Sequence, residues 1–301
     1  MSDHKHAPTP RTQPVRRVAG RAAVALETTL LAHGLPPGEG LPLARELDTI
    51  IQRHGANPAT IGVLDGVPIV GMTQDELGEF LSRPEIAKAN TANLGPLIYR
   101  CATVATTVSA TVSLAASAGI RVMATGGLGG VHHGLAHRLD ISADLAALAQ
   151  HPVAVVSSGV KAILDVASTR ELLETLGVPV IGYRTRSFPA FYLVESEGRV
   201  DATFDSPADI AAFARHHLAS TGKGVLIAQP VPAEHAIDPQ QWQAWLEQAA
   251  RESADAKGRD ATPAMLEALH RISEGRTLSS NLALVRANAD LAAQIAAEMA
   301  R

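Results

Sequence analysis

The stretch VAVVSSGVKAILD, residues 153–165, decides the fold. Its opening apolar, β-branched run has the make-up of a buried strand. Ser157 and Ser158 close that run, Gly159 breaks it, and residues 160–165 restart with helical composition. Lys161 therefore falls just past the end of a strand. In an open α/β sheet ligands bind at that edge, because the loops leaving the carboxyl ends of the strands diverge and leave a crevice. A lysine there is either a solvated residue in the first turn of a helix, where the dipole disfavours a cation, or an amine with work to do.

Composition supports an α/β reading. The 301 residues are 46% hydrophobic but only 3% aromatic, so the core is expected to be Ala, Val, Leu and Ile. Such a core suits helices packed closely on both faces of a sheet. The net charge is -4 with both signs dispersed, which lacks the basic stripe that nucleic-acid binding demands. A small-molecule partner is expected, with no nucleic acid and no membrane. Cys101 is the single cysteine, so neither an internal disulfide nor a cysteine-rich metal site is expected, and a reducing cytoplasm fits. No apolar run reaches the length of a membrane span. Residues 1–20 read as a disordered tail without a signal-type apolar segment, leaving residues 21–301 as a single catalytic domain.

Other stretches repeat the pattern of the first. Residues 21–26 form a short buried run with Glu27 directly behind it. Residues 41–54 have helical periodicity, and residues 55–71 read as a hairpin turning at Asp65-Gly66. Thr73 caps a helix to about Leu81, and Lys88 follows in a polar segment. Residues 102–118 divide into a short strand to about Val104, a turn at Thr106 and Thr107, and a helix to Ser117. A clearer strand at 120–124 runs into TGGLGGVHHG, residues 125–134, with five glycines in ten residues.

A glycine-rich loop after a strand lets backbone N–H groups approach a phosphate unobstructed. The spacing is not that of a dinucleotide site, and the next strand ends in serines rather than an acidic ribose ligand. No helix is expected to carry His132, His133 and His137 at the i, i+4 spacing of a zinc site and no cysteine helps, so surface or phosphate-contacting roles are favoured. Ser142 is a natural N-cap that places Asp144 in the first turn of a helix, with Asp140 just outside. The pair either compensates the helix dipole or holds a hard divalent cation, mostly hydrated. Glu27, the glycine loop, Asp140 with Asp144, and Lys161 each follow a buried run. One parallel sheet would gather them on a single edge, as a carboxylate, a phosphate cradle, a cation site and a lysine.

These residues carry a resemblance. The stretches ALETTLLAHGLP from Ala25, GANPATIGVLDG from Gly55, ATTVSAT from Ala105 and GIRVMATGGLGGVHHG from Gly119 are similar to the pseudouridine-5′-phosphate glycosidase family. So are LDISADL from Leu139, SGVKAILD from Ser158, ETLGVPVIGYRTRSFPAFY from Glu174 and LSSNLALVRANADLAAQIA from Leu278, in order and across nearly all of the chain beyond residue 20. The resemblance implies an α/β fold, a three-layer α/β/α sandwich around a mixed, largely parallel sheet, assembled as a homotrimer. It implies cleavage or formation of a carbon–carbon bond between C1 of ribose 5-phosphate and an aglycone. Lys161 falls on the family's nucleophile, Glu27 on its proton donor and Asp140 on its metal ligand, with one Mn²⁺ per subunit and Mg²⁺ as the substitute. Lys88, Val108, Ser142, Ala143 and Asp144 fall on substrate contacts, and Thr107, Gly126, Gly127 and His132 complete the expected set.

The chemistry explains why a lysine is required. A carbon leaving group cannot be activated by protonation as the oxygen of an ordinary glycoside is. An amine bonded to C1 of an opened ribose can instead pass through an iminium as the C–C bond breaks. Against the family pattern, Lys88 is followed by Ala-Asn-Thr-Ala-Asn93 rather than by basic residues and an aspartate. His133 replaces an arginine, and Gln229-Pro230 replaces Asn-Pro. The same inventory run in the bond-forming direction would make a C-ribosyl synthase acting on a secondary-metabolite aglycone.

Overall fold

The computed structural model describes residues 15–16, 22–134, 139–253 and 261–301. Its sheet is built from β1 (Val15–Arg16), β2 (Ala23–Glu27), β3 (Asn57–Leu64), β4 (Val67–Val70), β5 (Ala87–Ala89) and β6 (Val104–Thr106). The remaining strands are β7 (Val122–Ala124), β8 (Ala154–Ser157), β9 (Val180–Tyr183), β10 (Ala202–Phe204) and β11 (Val225–Ala228). The spatial order is β1-β4-β3-β2-β7-β8-β11-β9-β10, with β6 on β3 and β5 on β6. All pairs are parallel except β3 with β4 and β3 with β6. The hairpin turns at Asp65 and Gly66, both at positive φ as a primed two-residue turn requires.

Alternation along each central strand feeds two cores. Val24 and Leu26 of β2, Val122 and Ala124 of β7, Ala154 and Val156 of β8, and Val225 and Ile227 of β11 face one layer. That layer contains α2 (Gly40–Gln52), α3 (Gln74–Leu81), α8 (Pro207–Thr221) and the long α11 (Arg276–Ala300). Ala25, Met123, Val155 and Leu226 face the other, made by α5 (Val108–Ser117), α6 (Ala143–Gln150) and α7 (Val166–Thr175). Each fully buried Val, Leu or Ile contributes roughly 1.5–3 kcal/mol, so two covered faces hold the sheet firmly. The expected three-layer α/β/α sandwich is what forms.

Local signals set the helix starts. Thr73 and Glu76 make a reciprocal capping box at α3, Ser206 caps α8 ahead of Pro207, and Ser142 caps α6. One expectation is corrected. Residues 160–165 do not form a helix: Lys161 opens a turn, and Asp165 caps a helix that begins at Val166. Gly159 causes the delay by turning the chain at φ +73°, so that Lys161 and Asp165 N–H donate to Leu128 O and Val131 O of the glycine loop and only Leu164 N–H, on Lys161 O, bonds within the turn. Lys88 likewise lies in a strand, β5, rather than in an irregular polar segment. Of residues 1–20, expected as a tail, Val15 and Arg16 pair with Ile69 and Val70, and the others lie outside the described residues.

The carboxyl edge also receives short pieces. β3 continues past β2, whose last residue pairs with Ile61, and β6 returns antiparallel beside Gly62 and Val63. β5 aligns Lys88 with Ala105, so this lysine is delivered over the edge from the side. Two further helices, α9 (Pro239–Glu252) and α10 (Ala261–Ile272), form a separate apolar cluster around Trp242, Trp245 and Leu269. It packs on Ala162, Ile163 and Tyr192, behind the Lys161 turn.

Candidate active site

β2, β7 and β8 are neighbours in parallel register, Leu26 with Ala124 and Ala124 with Val156. Their carboxyl ends are therefore level, which places Glu27, Thr125 and the Ser157-to-Lys161 turn side by side. The Thr125 hydroxyl donates to Glu27 Oε1 at 2.5 Å. Burial pushes the Glu27 carboxyl above its ordinary range. Lys161, Thr125 and Lys88 pull it back, and Asp144 adds to the rise. A carboxyl whose proton is held more tightly by burial is suited to act as an acid.

Lys161 is an exposed residue whose backbone is fixed. The Ser158 N–H donates to Gly126 O at 2.9 Å, Leu128 N–H to Gly159 O at 2.9 Å, and Lys161 N–H to Leu128 O at 3.1 Å. The glycine loop and the Lys161 turn are thus zipped together. Lys88 is also exposed as a residue, yet its amine lies where burial lowers its proton affinity, and the Lys161 charge lowers it further, against Glu27 and Asp144. Glu27, Lys88, Lys161 and Asp144 therefore share one electrostatic neighbourhood, formed from four separate segments.

Asp144 is buried and ties two elements together. Its Oδ1 accepts from Ser109 N–H at the start of α5 and its Oδ2 from Gly129 N–H, both at 2.9 Å. One amide on each oxygen fixes this carboxylate between the glycine loop and α5. Gly129 is required here, because a Cβ would lie 2.3 Å from Ser142 Oγ. Ser142 caps α6 by accepting from Asp144 N–H, and Ala143 is the first helical residue. Thr107 and Val108 sit at the start of α5, where the Thr107 hydroxyl meets Ser109 Oγ at 3.0 Å.

The glycines at 126 and 127 answer first to packing. A Cβ at Gly127 would stand 2.5 Å from the Phe191 ring, and one at Gly126 would press on Phe191, Leu284 and Val285. The amides of Leu128, Gly129, Val131 and His132 all donate within the protein. The part of the loop open to a phosphate is thus narrower than its glycine content suggests. His132 is half-buried and its N–H bonds Asp140 O at 3.0 Å, while His137 lies outside the described residues. Asp140 itself is half-buried. Among the described residues, no three His, Cys, Asp or Glu side chains gather as a metal cage.

Three features of the site carry no local signature in the sequence. Thr28 and Thr106 both donate to Ile61 O, at 2.9 and 2.7 Å, and Thr111 donates to Thr106, forming a buried hydroxyl cluster directly behind Glu27. Asn288 of α11 reaches Thr125 O and Ser158 Oγ from beneath. After Lys88, the chain closes on itself: Asn90 N–H donates to Asn93 Oδ1 at 2.8 Å, and Asn93 Nδ2 donates to Lys88 O at 3.2 Å. Asparagines replace the basic side chains expected there.

A mixed, largely parallel α/β sandwich that gathers an acid, two amines and a helix-start serine on its carboxyl edge has the inventory of an enzyme's active site. The chain belongs to the family described as Indigoidine synthase A like protein, whose sequence model matches residues 16–298. A protein of Saccharopolyspora erythraea named pseudouridine-5′-phosphate glycosidase is 43% identical over 286 residues, covering 94% of each chain. One of the same name from Streptomyces griseus subsp. griseus is 46% identical over 281 residues, covering 92% of this chain and 87% of its own. Among solved structures, the indigoidine synthase A-like protein of Thermotoga maritima superposes with a TM-score of 0.88 at 34% identity, covering all of both chains. The prealnumycin C-glycosynthase AlnA, solved with ribulose 5-phosphate, gives 0.85 at 33% identity, covering 92% and 91%.

Proposed function

We propose that this enzyme reversibly cleaves the C–C glycosidic bond of pseudouridine 5′-phosphate, giving ribose 5-phosphate and uracil through a Schiff base on Lys161. The single observation that carries this is the level placement of Glu27 and the Lys161 turn at the ends of the two strands that flank β7, in a chain whose relatives bear that enzyme's name.

Lys161 attacks C1 as the bond from C1 to the ring oxygen breaks, and Glu27 gives its proton to that oxygen. The nitrogen lone pair then forms an iminium with C1 while the C–C bond breaks. The bonding pair leaves with the uracil carbon, which takes up a proton. Water adds to the iminium, releases ribose 5-phosphate as the aldehyde and frees the amine. One water is consumed overall. Glu27 is suited to donate because burial holds its proton. Lys88, with its proton affinity lowered by burial, is placed to contact the substrate beside Glu27. We also assign substrate contacts to Thr107, Val108, Gly126, Gly127, His132, Ser142, Ala143 and Asp144, the last also tying the glycine loop to α5.

For Mn²⁺ or Mg²⁺, a half-buried Asp140, with no cage of three ligands among the described residues, fits a largely hydrated hard cation. Such an ion would supply positive charge that orders water beside the substrate. We propose the cytoplasm as the enzyme's compartment, and a homotrimer as its assembly.

The second reading, a C-ribosyl synthase joining ribose 5-phosphate to a carbon of a secondary-metabolite aglycone, is favoured by the asparagine turn after Lys88 and by the likeness to AlnA. Incubation with pseudouridine 5′-phosphate and Mn²⁺ separates the two. Release of uracil at a catalytic rate supports the first, whereas no turnover at high enzyme concentration refutes it.

A further inference from the structure

Asn288 does nothing that packing asks for. It lies on the apolar face of α11 with none of its surface exposed, among Leu284, Val285, Leu291 and Ala292. Its Oδ1 has no hydrogen-bond partner among the described residues. An apolar side chain would avoid that unmet group. What the amide supplies is its other end. Nδ2 donates to Thr125 O at 2.8 Å, to Ser158 Oγ at 3.2 Å and to Gly126 O at 3.3 Å.

Those acceptors belong to two different strand ends. Thr125 follows β7 and directs its own hydroxyl at Glu27; Ser158 follows β8, three residues before Lys161. The zip between the glycine loop and the Lys161 turn begins at this junction, with Ser158 N–H on Gly126 O. We infer that Asn288 is a positioning residue that sets the acid against the amine, holding Glu27 through Thr125 and the Lys161 turn through Ser158. The inference rests on the reading of Glu27 as the acid and Lys161 as the nucleophile.

The hydrogen bond from Thr125 favours the ionised form of Glu27, opposing its burial. If Asn288 aims that hydroxyl, losing Asn288 and losing the hydroxyl must act on Glu27 as one event. The test compares Asn288→Ala, Thr125→Val and the double variant by ¹³C NMR titration of the Glu27 carboxyl, assigned with Glu27→Gln, alongside kcat and KM for pseudouridine 5′-phosphate. Glu27 should titrate at higher pH in each single variant, and the shift in the double should be smaller than the sum of the two. In Asn288→Ala, kcat should fall on the order of 10- to 100-fold with KM changed far less. Should that variant fail to fold, Asn288→Ser, which keeps one donor on a shorter arm, carries the same titration.

A Glu27 titration identical in Asn288→Ala and the parent overturns the inference, as do shifts that add in the double variant. The carboxyl titration does not depend on turnover. A parent that leaves pseudouridine 5′-phosphate intact therefore refutes the proposed reaction without deciding the role of Asn288, which the titration settles separately.

Discussion

At the scale of single residues, Glu27 shows how a site is maintained at the expense of stability. Its folded carboxyl binds a proton more tightly than a glutamate near 4.5, chiefly because of burial. Stability linked to that proton is fully present below the unfolded value and is lost as pH rises through the folded one. Glu27→Gln removes the ionisation. Its stability relative to the parent should be unchanged below about pH 4.5, should increase as pH rises above it, and then level off. Urea unfolding across a pH series measures this, and a difference independent of pH would refute it. Asp144 does a different job, its two oxygens each accepting from a backbone amide of a separate segment, and the sequence does not distinguish the two. Both follow the pattern of an acidic residue near an element end. Only long-range partners such as Thr125, Ser109 and Gly129 separate a poised acid from a structural clamp.

At the scale of elements, legibility followed the length of the local signal. The hairpin at Asp65-Gly66, the cap at Thr73 and the caps at Ser142 and Ser206 were readable because each is written within a few adjacent residues. β5 and β10 are three-residue strands that are largely not buried, so no apolar run marks them, unlike the equally short but fully buried β6 and β7. The turn from Lys161 to Leu164 was misread as helix because its apolar residues pack on α9 and α10, a contact no local period records. Gly159 is what makes that turn. At φ +73°, a Cβ there would fall 1.8 Å from Pro189 O, so Gly159→Ala must shift either the turn or the Pro189 segment. The variant should lose about 2–3 kcal/mol of stability through strain and overpacking. Misplacing Lys161 by an ångström should also reduce kcat about 100-fold. Thermal unfolding and steady-state kinetics check the pair. Near-parental activity would mean that the turn's conformation does not matter to the reaction.

At the scale of the whole molecule, function comes from strand order. Glu27 and Lys161 are far apart in the chain, and they meet because β7 lies between β2 and β8 with all three parallel and level. That arrangement was foreseeable as a class, since buried runs followed by polar residues belong at the carboxyl edge of a parallel sheet. The tie from α11, drawn by Asn288 across 163 positions of sequence to Thr125, was not. A buried asparagine on a helix looks the same in sequence whatever it bonds. The sheet also brings two amines, Lys88 and Lys161, to one acid, so the assignment of the nucleophile can be tested against a built-in rival. The direct measurement is borohydride trapping with ribose 5-phosphate, followed by peptide mass spectrometry of the parent, Lys161→Ala and Lys88→Ala. The account predicts a reduced adduct on Lys161 in the parent and in Lys88→Ala, and none in Lys161→Ala. An adduct that persists in Lys161→Ala, or that maps to Lys88 in the parent, would contradict it.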